Sequence, residues 1–184
     1  MLLLDAINEV LPKLGEHPVT STESKSPTLA VVIPQINATS RNLLTRGWWF
    51  NQFDTILYPD SEKFLDVPLD TLKFIPEPGV ACIVRGARFY NGITRTFKFD
   101  APVGGVLTQS VPFEDLPESA AQAVLYGALV IIYATDIGLE EVVRVWTGLA
   151  SDALARMESE HLENRRFSIR NSRRYVKLRR AMRA

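Results

Sequence analysis

The chain has 184 residues, of which 46% are hydrophobic and 23% charged, the composition of a folded globular protein with one sizeable core. Its single cysteine, Cys82, excludes an internal disulfide and suits a reducing compartment. The longest apolar region, residues 120–134, is shorter than the roughly 20 residues of a membrane-spanning helix, and the N-terminus lacks the basic start of a signal peptide. We therefore expect a soluble protein without membrane insertion.

Charge is distributed unevenly along the chain, although the formal net charge is zero. Residues 1–164 carry 12 basic and 21 acidic side chains, whereas residues 165–184 carry nine basic side chains and no acidic one. Such asymmetry is informative about partners rather than about fold. It predicts a basic C-terminal arm that contacts an acidic protein surface, DNA phosphates or, least readily, a membrane surface.

Two helices are predicted at the N-terminal end. Apolar residues at helical spacing indicate a first helix over residues 3–14, which Pro12 should bend or shorten. Ser26 is the predicted N-cap of a second helix, which reaches Gly47 and which Pro34 should kink.

The middle of the chain, residues 51–113, has the pattern of a small antiparallel β region. Short runs rich in β-branched and aromatic residues alternate with Pro, Gly and Asp. Asn91-Gly92 lies between two such runs, residues 88–90 and 93–99, and this dipeptide is typical of a two-residue hairpin turn. We therefore predict a hairpin whose tip is Asn91-Gly92.

Helix is predicted again after Pro117. A third helix with little polar surface should be central and should end near residues 136–138. A fourth helix is predicted over residues 139–161. The apolar residues that should face the bundle are spaced four or three apart and form a seam. They are Val142, Trp146, Leu149, Ala153 and Met157.

These elements predict an α+β fold. Residues 1–50 and 114–164 should form a discontinuous bundle of about four helices, into which residues 51–113 are inserted as a β subdomain. Residues 165–184 should form an extended basic C-terminal arm.

The sequence Gly47-Trp48-Trp49-Phe50 stands where the second helix ends and the β region begins. Exposed aromatic side chains of this kind could stack on bases or sugars. Large aromatic residues at such a junction more often seal one structural unit against the next. We therefore interpret these four residues as a structural joint.

The sequence offers little that could carry catalysis or hold a cofactor. His17 and His161 are the only histidines, and neither is near Cys82 in sequence, so we expect no metal site, two surface histidines and one buried thiol. Adjacent acids, Glu114-Asp115 and Glu140-Glu141, are typical of helix starts, although a glycan hydrolase could use such pairs. We expect no enzyme activity and no cofactor.

Two motifs give the chain a family resemblance. The first helix closes on Leu14-Gly15-Glu16-His17-Pro18-Val19, and the second on Arg46-Gly47-Trp48-Trp49-Phe50-Asn51. In this order, and with the β-rich middle and the Asp115-Leu116-Pro117-Glu118 start of the third helix, they resemble the tail tubular protein A family of short-tailed bacteriophages. The resemblance covers residues 5 to about 163. Pro12 and Pro34 depart from the family pattern.

The resemblance implies a structural virion protein that is assembled in the host cytoplasm. Members of this family are head-to-tail adaptors, or gatekeepers. They form a ring, expected to hold twelve copies, between the portal protein and the tail nozzle protein, and the ring encloses the channel for double-stranded DNA. A DNA-binding protein acting through the basic arm, or a virion-associated glycan hydrolase, is the alternative.

Two contact sites are predicted within this framework. The hairpin at Asn91 should contact the nozzle through Arg88, Tyr90, Asn91 and Arg95. The arm should dock on the portal through Arg165, Arg166, Phe167, Arg170, Arg173, Arg174, Tyr175, Lys177, Arg179, Arg180 and Arg183.

Overall fold

The structure, a computed structural model, describes residues 1–138 and 140–165, without the side chains of residues 136, 137 and 140. It confirms the α+β class. The helices are α1 (Leu3–Val10), α2 (Pro27–Leu44), α3 (Glu118–Ile132) and α4 (Glu140–Asn164). The strands are β1 (Gln52–Leu57), β2 (Thr71–Pro76), β3 (Cys82–Arg85), β4 (Arg88–Asn91) and β5 (Val103–Gln109).

The N-terminal helices follow the sequence signals. The α-helical part of the first helix ends at Val10, and Pro12 lies in a 3₁₀ turn, so the proline shortens the helix as predicted. Ser26 caps α2 by accepting a hydrogen bond of 3.2 Å from the backbone N–H of Thr28. Pro34 lies inside α2, which continues to Leu44.

Helix α3 is the centre of the bundle and packs between α2 and α4, as predicted. Nine of its 15 residues are buried, among them Ala120, Val124 and Ala128. Residues 118–135 are long and apolar enough to cross a membrane by length and composition, but 56% of this window is buried within the protein. A buried core helix meets the same two criteria.

The predicted seam of α4 is wrong at Leu149. Ala153 and Met157 are completely buried, whereas Leu149 is 38% exposed and Val143 packs against the core instead. At 100° per residue, Leu149 lies about 80° from the centre of the buried stripe, so it falls at the stripe's margin.

The β region consists of two antiparallel sheets. One has the strand order β1-β5-β2, and the other is the β3-β4 pair. A separate buried cluster lies between them, formed by Leu65, Cys82, Phe89, Phe99 and Val103. The boundaries of an inserted subdomain at residues 51–113 stay a prediction, which this second cluster supports.

The predicted hairpin at Asn91-Gly92 is wrong. Strands β3 and β4 pair so that Arg85 faces Arg88, which makes Gly86-Ala87 the two-residue turn. Gly86 has a φ of +64°, a conformation that glycine adopts at little cost. Residues 93–99 form no strand, because the Asn91 side chain binds the following backbone in a wider turn.

Candidate functional site

The junction between α2 and β1 is built around Trp48, which is only 4% exposed. Its indole Nε1 donates a hydrogen bond of 2.7 Å to the carbonyl of Leu43, near the end of α2. Its backbone N–H donates to the side-chain oxygen of Asn51, also at 2.7 Å. The indole is buried and its N–H already has a hydrogen-bond partner. It is therefore not available to stack on a base or a sugar.

Asn51 connects the helices to the sheet. The residue is fully buried, and its Nδ2 donates to the carbonyl of Leu44 at 3.0 Å and to the carbonyl of Gln109 at 2.8 Å. Leu44 ends α2 and Gln109 ends β5, so one amide satisfies the backbone of two elements that are far apart in sequence. Asn51 closes the Arg46-Gly47-Trp48-Trp49-Phe50-Asn51 motif, but the motif alone does not indicate this bridging role.

Helix α4 reaches the same junction through His161. The imidazole meets the Trp48 indole edge-on, with centroids 5.4 Å apart, and lies 6.1 Å from the ring of Trp49. Burial, and to a lesser degree the neighbouring Arg165, lowers the pKa of His161 below its ordinary value. The expectation of two surface histidines is therefore wrong for His161. The polar residues around His161 in the sequence gave no sign that its imidazole packs against tryptophan rings.

The other residues of the predicted joint have different environments. Gly47 adopts a φ of +83°, which L-residues rarely adopt, and a Cβ there would lie 2.5 Å from the Nε2 of Gln52. Trp49 and Phe50 are half-buried and pack edge to face, with centroids 5.0 Å apart. Trp48 thus enters the core, while Trp49 and Phe50 lie at its edge. The joint as a determinant of stability stays a prediction.

The four residues predicted to contact the nozzle are not equally available. Arg88 is engaged with Asp66, at 3.3 Å, and Tyr90 packs edge to face on Phe97 at 5.2 Å. Asn91 binds its own turn, as described above. Arg95 is exposed. Of the predicted arm, only Arg165 is described, and its guanidinium donates to the side-chain oxygen of Gln52; residues 166–184 lie outside the described residues.

The described residues contain little that resembles a catalytic centre. Within residues 1–138 and 140–165, no three His, Cys, Asp or Glu side chains are grouped as a metal site requires. A groove of about 650 Å³ between α2 and the β region has Asp70 as its one acidic lining residue, so it lacks the carboxylate pair of a glycoside hydrolase. Cys82 is buried as expected, and burial raises its pKa to about 11, which keeps the thiol protonated.

Comparison with known proteins relates the chain to phage tail proteins. Residues 4–167 match the family model described as Tail tubular protein. The chain is 30% identical over 179 residues to Tail tubular protein A of Klebsiella phage KP34, and this match covers 97% of the chain and 96% of that protein. The family-model match includes all of α1 except its first residue, the other three helices, both sheets and the junction around Trp48.

Proposed function

The chain belongs to the tail tubular protein family and is a structural component of the bacteriophage virion, and we propose that it forms the connector that joins the portal to the tail nozzle. The observation that carries this proposal is the match with a tail tubular protein A, which spans 97% of the chain and 96% of that protein. The proposed connector is a closed ring around the DNA channel.

The outer face of α4 supports assembly into such a ring. Val145 and Leu149 are four residues apart, so they lie on one face of the helix, and they are 58% and 38% exposed. We assign this face to the lateral contact between neighbouring copies, because burial of exposed apolar side chains favours association.

The charge distribution suits a DNA channel. The acidic excess of residues 1–164 would repel the phosphates of passing DNA and limit its adhesion to the channel wall. The nine basic residues from Arg165 onwards would in turn pair with acidic groups of the portal. In this proposal residues 1–164 surround the DNA, and the basic arm binds the portal.

The proposed nozzle contact is the wide turn of residues 92–95 after β4, in place of a two-residue hairpin tip. Ile93 is 67% exposed and Arg95 is exposed as well, so the turn presents one apolar and one cationic side chain. We expect Ile93→Ser with Arg95→Ser to reduce nozzle attachment and to leave the melting temperature unchanged. Leu69→Ser is the matched control, since Leu69 is 87% exposed in another loop.

Truncation after Arg165 tests the portal contact. Filled, tailless heads are mixed with the full chain or with the truncated chain, and attached connectors are counted by electron microscopy. We expect the truncated protein to keep its helix content and to fail to attach. Attachment at the full-length level would contradict the docking arm.

The second candidate function is DNA binding through the arm, which the density of positive charge favours. It predicts the opposite outcome: the truncated chain still joins heads, and only its salt-sensitive affinity for DNA is lost. The same pair of proteins, measured for head attachment and for DNA binding at two salt concentrations, therefore separates the two functions.

A further inference from the structure

The two-stranded sheet has an outward face that combines apolar, aromatic and basic side chains. In the β3-β4 register, Ile83 lies opposite Tyr90, and Arg85 lies opposite Arg88. Side chains two residues apart on a strand point to the same side, so these two rows share one face. Phe89 points to the other side, into the buried cluster. We call the surface formed by the two rows the outer face of the β3-β4 pair.

The outer face belongs to the basic part of an acidic body. Residues 78–99 contain four basic side chains, Arg85, Arg88, Arg95 and Lys98, and no acidic one. The rest of residues 1–164 holds eight basic and 21 acidic side chains. Positive charge that is concentrated in one short segment indicates a partner that is acidic where it meets this segment.

Aromatic rings hold the two arginines of the outer face. The guanidinium carbon of Arg85 lies 3.8 Å from the centroid of the Tyr90 ring. That of Arg88 lies 4.1 Å from the Phe64 ring, and Arg88 also pairs with Asp66 at 3.3 Å. Arg85 is exposed and forms no ion pair with any described residue. Because a guanidinium stacked on a ring can still donate its edge N–H groups, Arg85 is pre-positioned to bind a carboxylate.

Exposed apolar side chains lie close to Arg85. Ile83 is 48% exposed, and Phe97, which packs edge to face on Tyr90 at 5.2 Å, is 40% exposed. Ile93, in the wide turn after β4, is 67% exposed. Arginine and aromatic residues are enriched in the centres of protein–protein interfaces, and exposed apolar side chains grouped together mark such sites.

A protein partner fits this face better than DNA does. The Asp66 side chain is 71% exposed beside Arg88 and would repel a phosphodiester backbone, whose charges follow one another at regular spacing. A protein segment can place one carboxylate on Arg85 and stay clear of Asp66. Interfaces with DNA are also more polar than a surface that exposes Ile83 and Phe97.

We propose that the outer face of the β3-β4 pair binds an acidic, partly apolar segment of the tail nozzle protein. One carboxylate of that segment pairs with Arg85, and an apolar side chain covers Ile83 and Phe97. Since β4 ends at Asn91, the outer face adjoins the wide turn assigned to the nozzle, and the two form one contact site. This inference rests on the proposed connector function and adds the chemistry of the partner.

Binding of the full chain to the purified nozzle protein of the same phage, measured by biolayer interferometry, tests this contact. Arg85→Glu should weaken binding by about tenfold or more, because it places a negative charge against the partner's carboxylate. Lys73→Glu is the matched control, since it makes the same change of charge at an exposed position in the other sheet. The control should change the affinity by less than about twofold, because salt screens charges at that distance.

Two further variants separate charge from packing. Arg85→Lys keeps the positive charge and loses the planar guanidinium, so it should bind with intermediate strength. Ile83→Ser leaves the charge unchanged, so it should weaken binding while the salt dependence stays that of the parent. Arg85→Glu should keep the melting temperature of the parent, because a glutamate there faces Arg88 across the two strands. If it unfolds, unchanged nozzle affinity of both Arg85→Lys and Ile83→Ser would overturn the proposal.

The outcomes distinguish this contact from the connector role. If the unmodified chain does not bind the nozzle protein, the nozzle contact of the proposed function fails, and this inference fails with it. If the unmodified chain binds, and Arg85→Glu binds as well as Lys73→Glu, the connector role stands and the assignment of the face is wrong. If Arg85→Glu loses affinity for double-stranded DNA and keeps its affinity for the nozzle, the face is a DNA site, which would also overturn the proposal.

Discussion

The indole of Trp48 and the imidazole of His161 meet edge-on, at 5.4 Å between centroids and 83° between planes. Trp48 follows the end of α2, and His161 lies 113 residues later in α4, so this contact joins the first and last long helices of the described chain beside the start of β1. The contact therefore ties α4 to the junction between α2 and β1.

Trp48→Ala should destabilise the protein by about 3–5 kcal/mol, because it removes a buried aromatic side chain and leaves a cavity. Urea unfolding of the purified variant measures this change. Phe50→Ala should cost clearly less, since Phe50 is half-buried. Equal melting of the Trp48 variant and the parent protein would rule out the structural joint.

Asn51→Ala should cost about 3 kcal/mol or more, because it leaves the Trp48 N–H and the carbonyls of Leu44 and Gln109 without a partner in a buried site. Asn91→Ala is the matched control, since the side-chain oxygen of Asn91 serves two N–H groups in an exposed turn. Comparable losses for the two variants in thermal unfolding would argue against a special role for Asn51.

Gly47→Ala should destabilise the protein by about 1–2 kcal/mol, because alanine pays a steric penalty at a φ of +83°. Gly148→Ala should instead stabilise it by about 0.5–1 kcal/mol, since Gly148 is in the interior of α4 with open space around it. Opposite signs of the two changes in denaturant midpoint are the predicted result. A stabilising effect at both positions would contradict the backbone geometry at the joint.

Stability should fall as the pH drops below about 6.5, partly through His161. Burial lowers the pKa of His161 in the folded state, so the unfolded chain binds a proton more readily and acidification favours unfolding. His161→Gln should flatten the decline of melting temperature between pH 7 and pH 5, whereas His17→Gln at an exposed position should not. Identical pH profiles for the parent and the His161 variant would show that His161 does not contribute to the pH dependence of stability.

The helices could be predicted from the sequence because their signals are local. Ser26 and Pro12 act within one turn of their own positions, and the spacing of apolar residues marks the central helix α3. The helix ends and the order of helical and β segments depend on the same short-range chemistry. The α+β fold follows from that order.

The junction and the β turns depend on contacts that a local pattern does not contain. Asn91-Gly92 has the composition of a hairpin turn, but Gly86-Ala87 sets the register in which Cys82 and Phe89 both reach the buried cluster. One partner of Asn51 is Gln109, 58 residues away, so the local sequence does not show that Asn51 joins the helices to the sheet. Leu149 shows the same limit, since its exposure depends on where α3 lies.

Cryo-electron microscopy of the neck of the intact virion tests the connector role most directly. The account predicts a closed ring of this chain between the portal and the nozzle, with the outer face of α4 at the contact between copies and the wide turn after β4 directed to the nozzle. Density for this chain at another site of the tail, or a neck in which the portal meets the nozzle without it, would contradict the account.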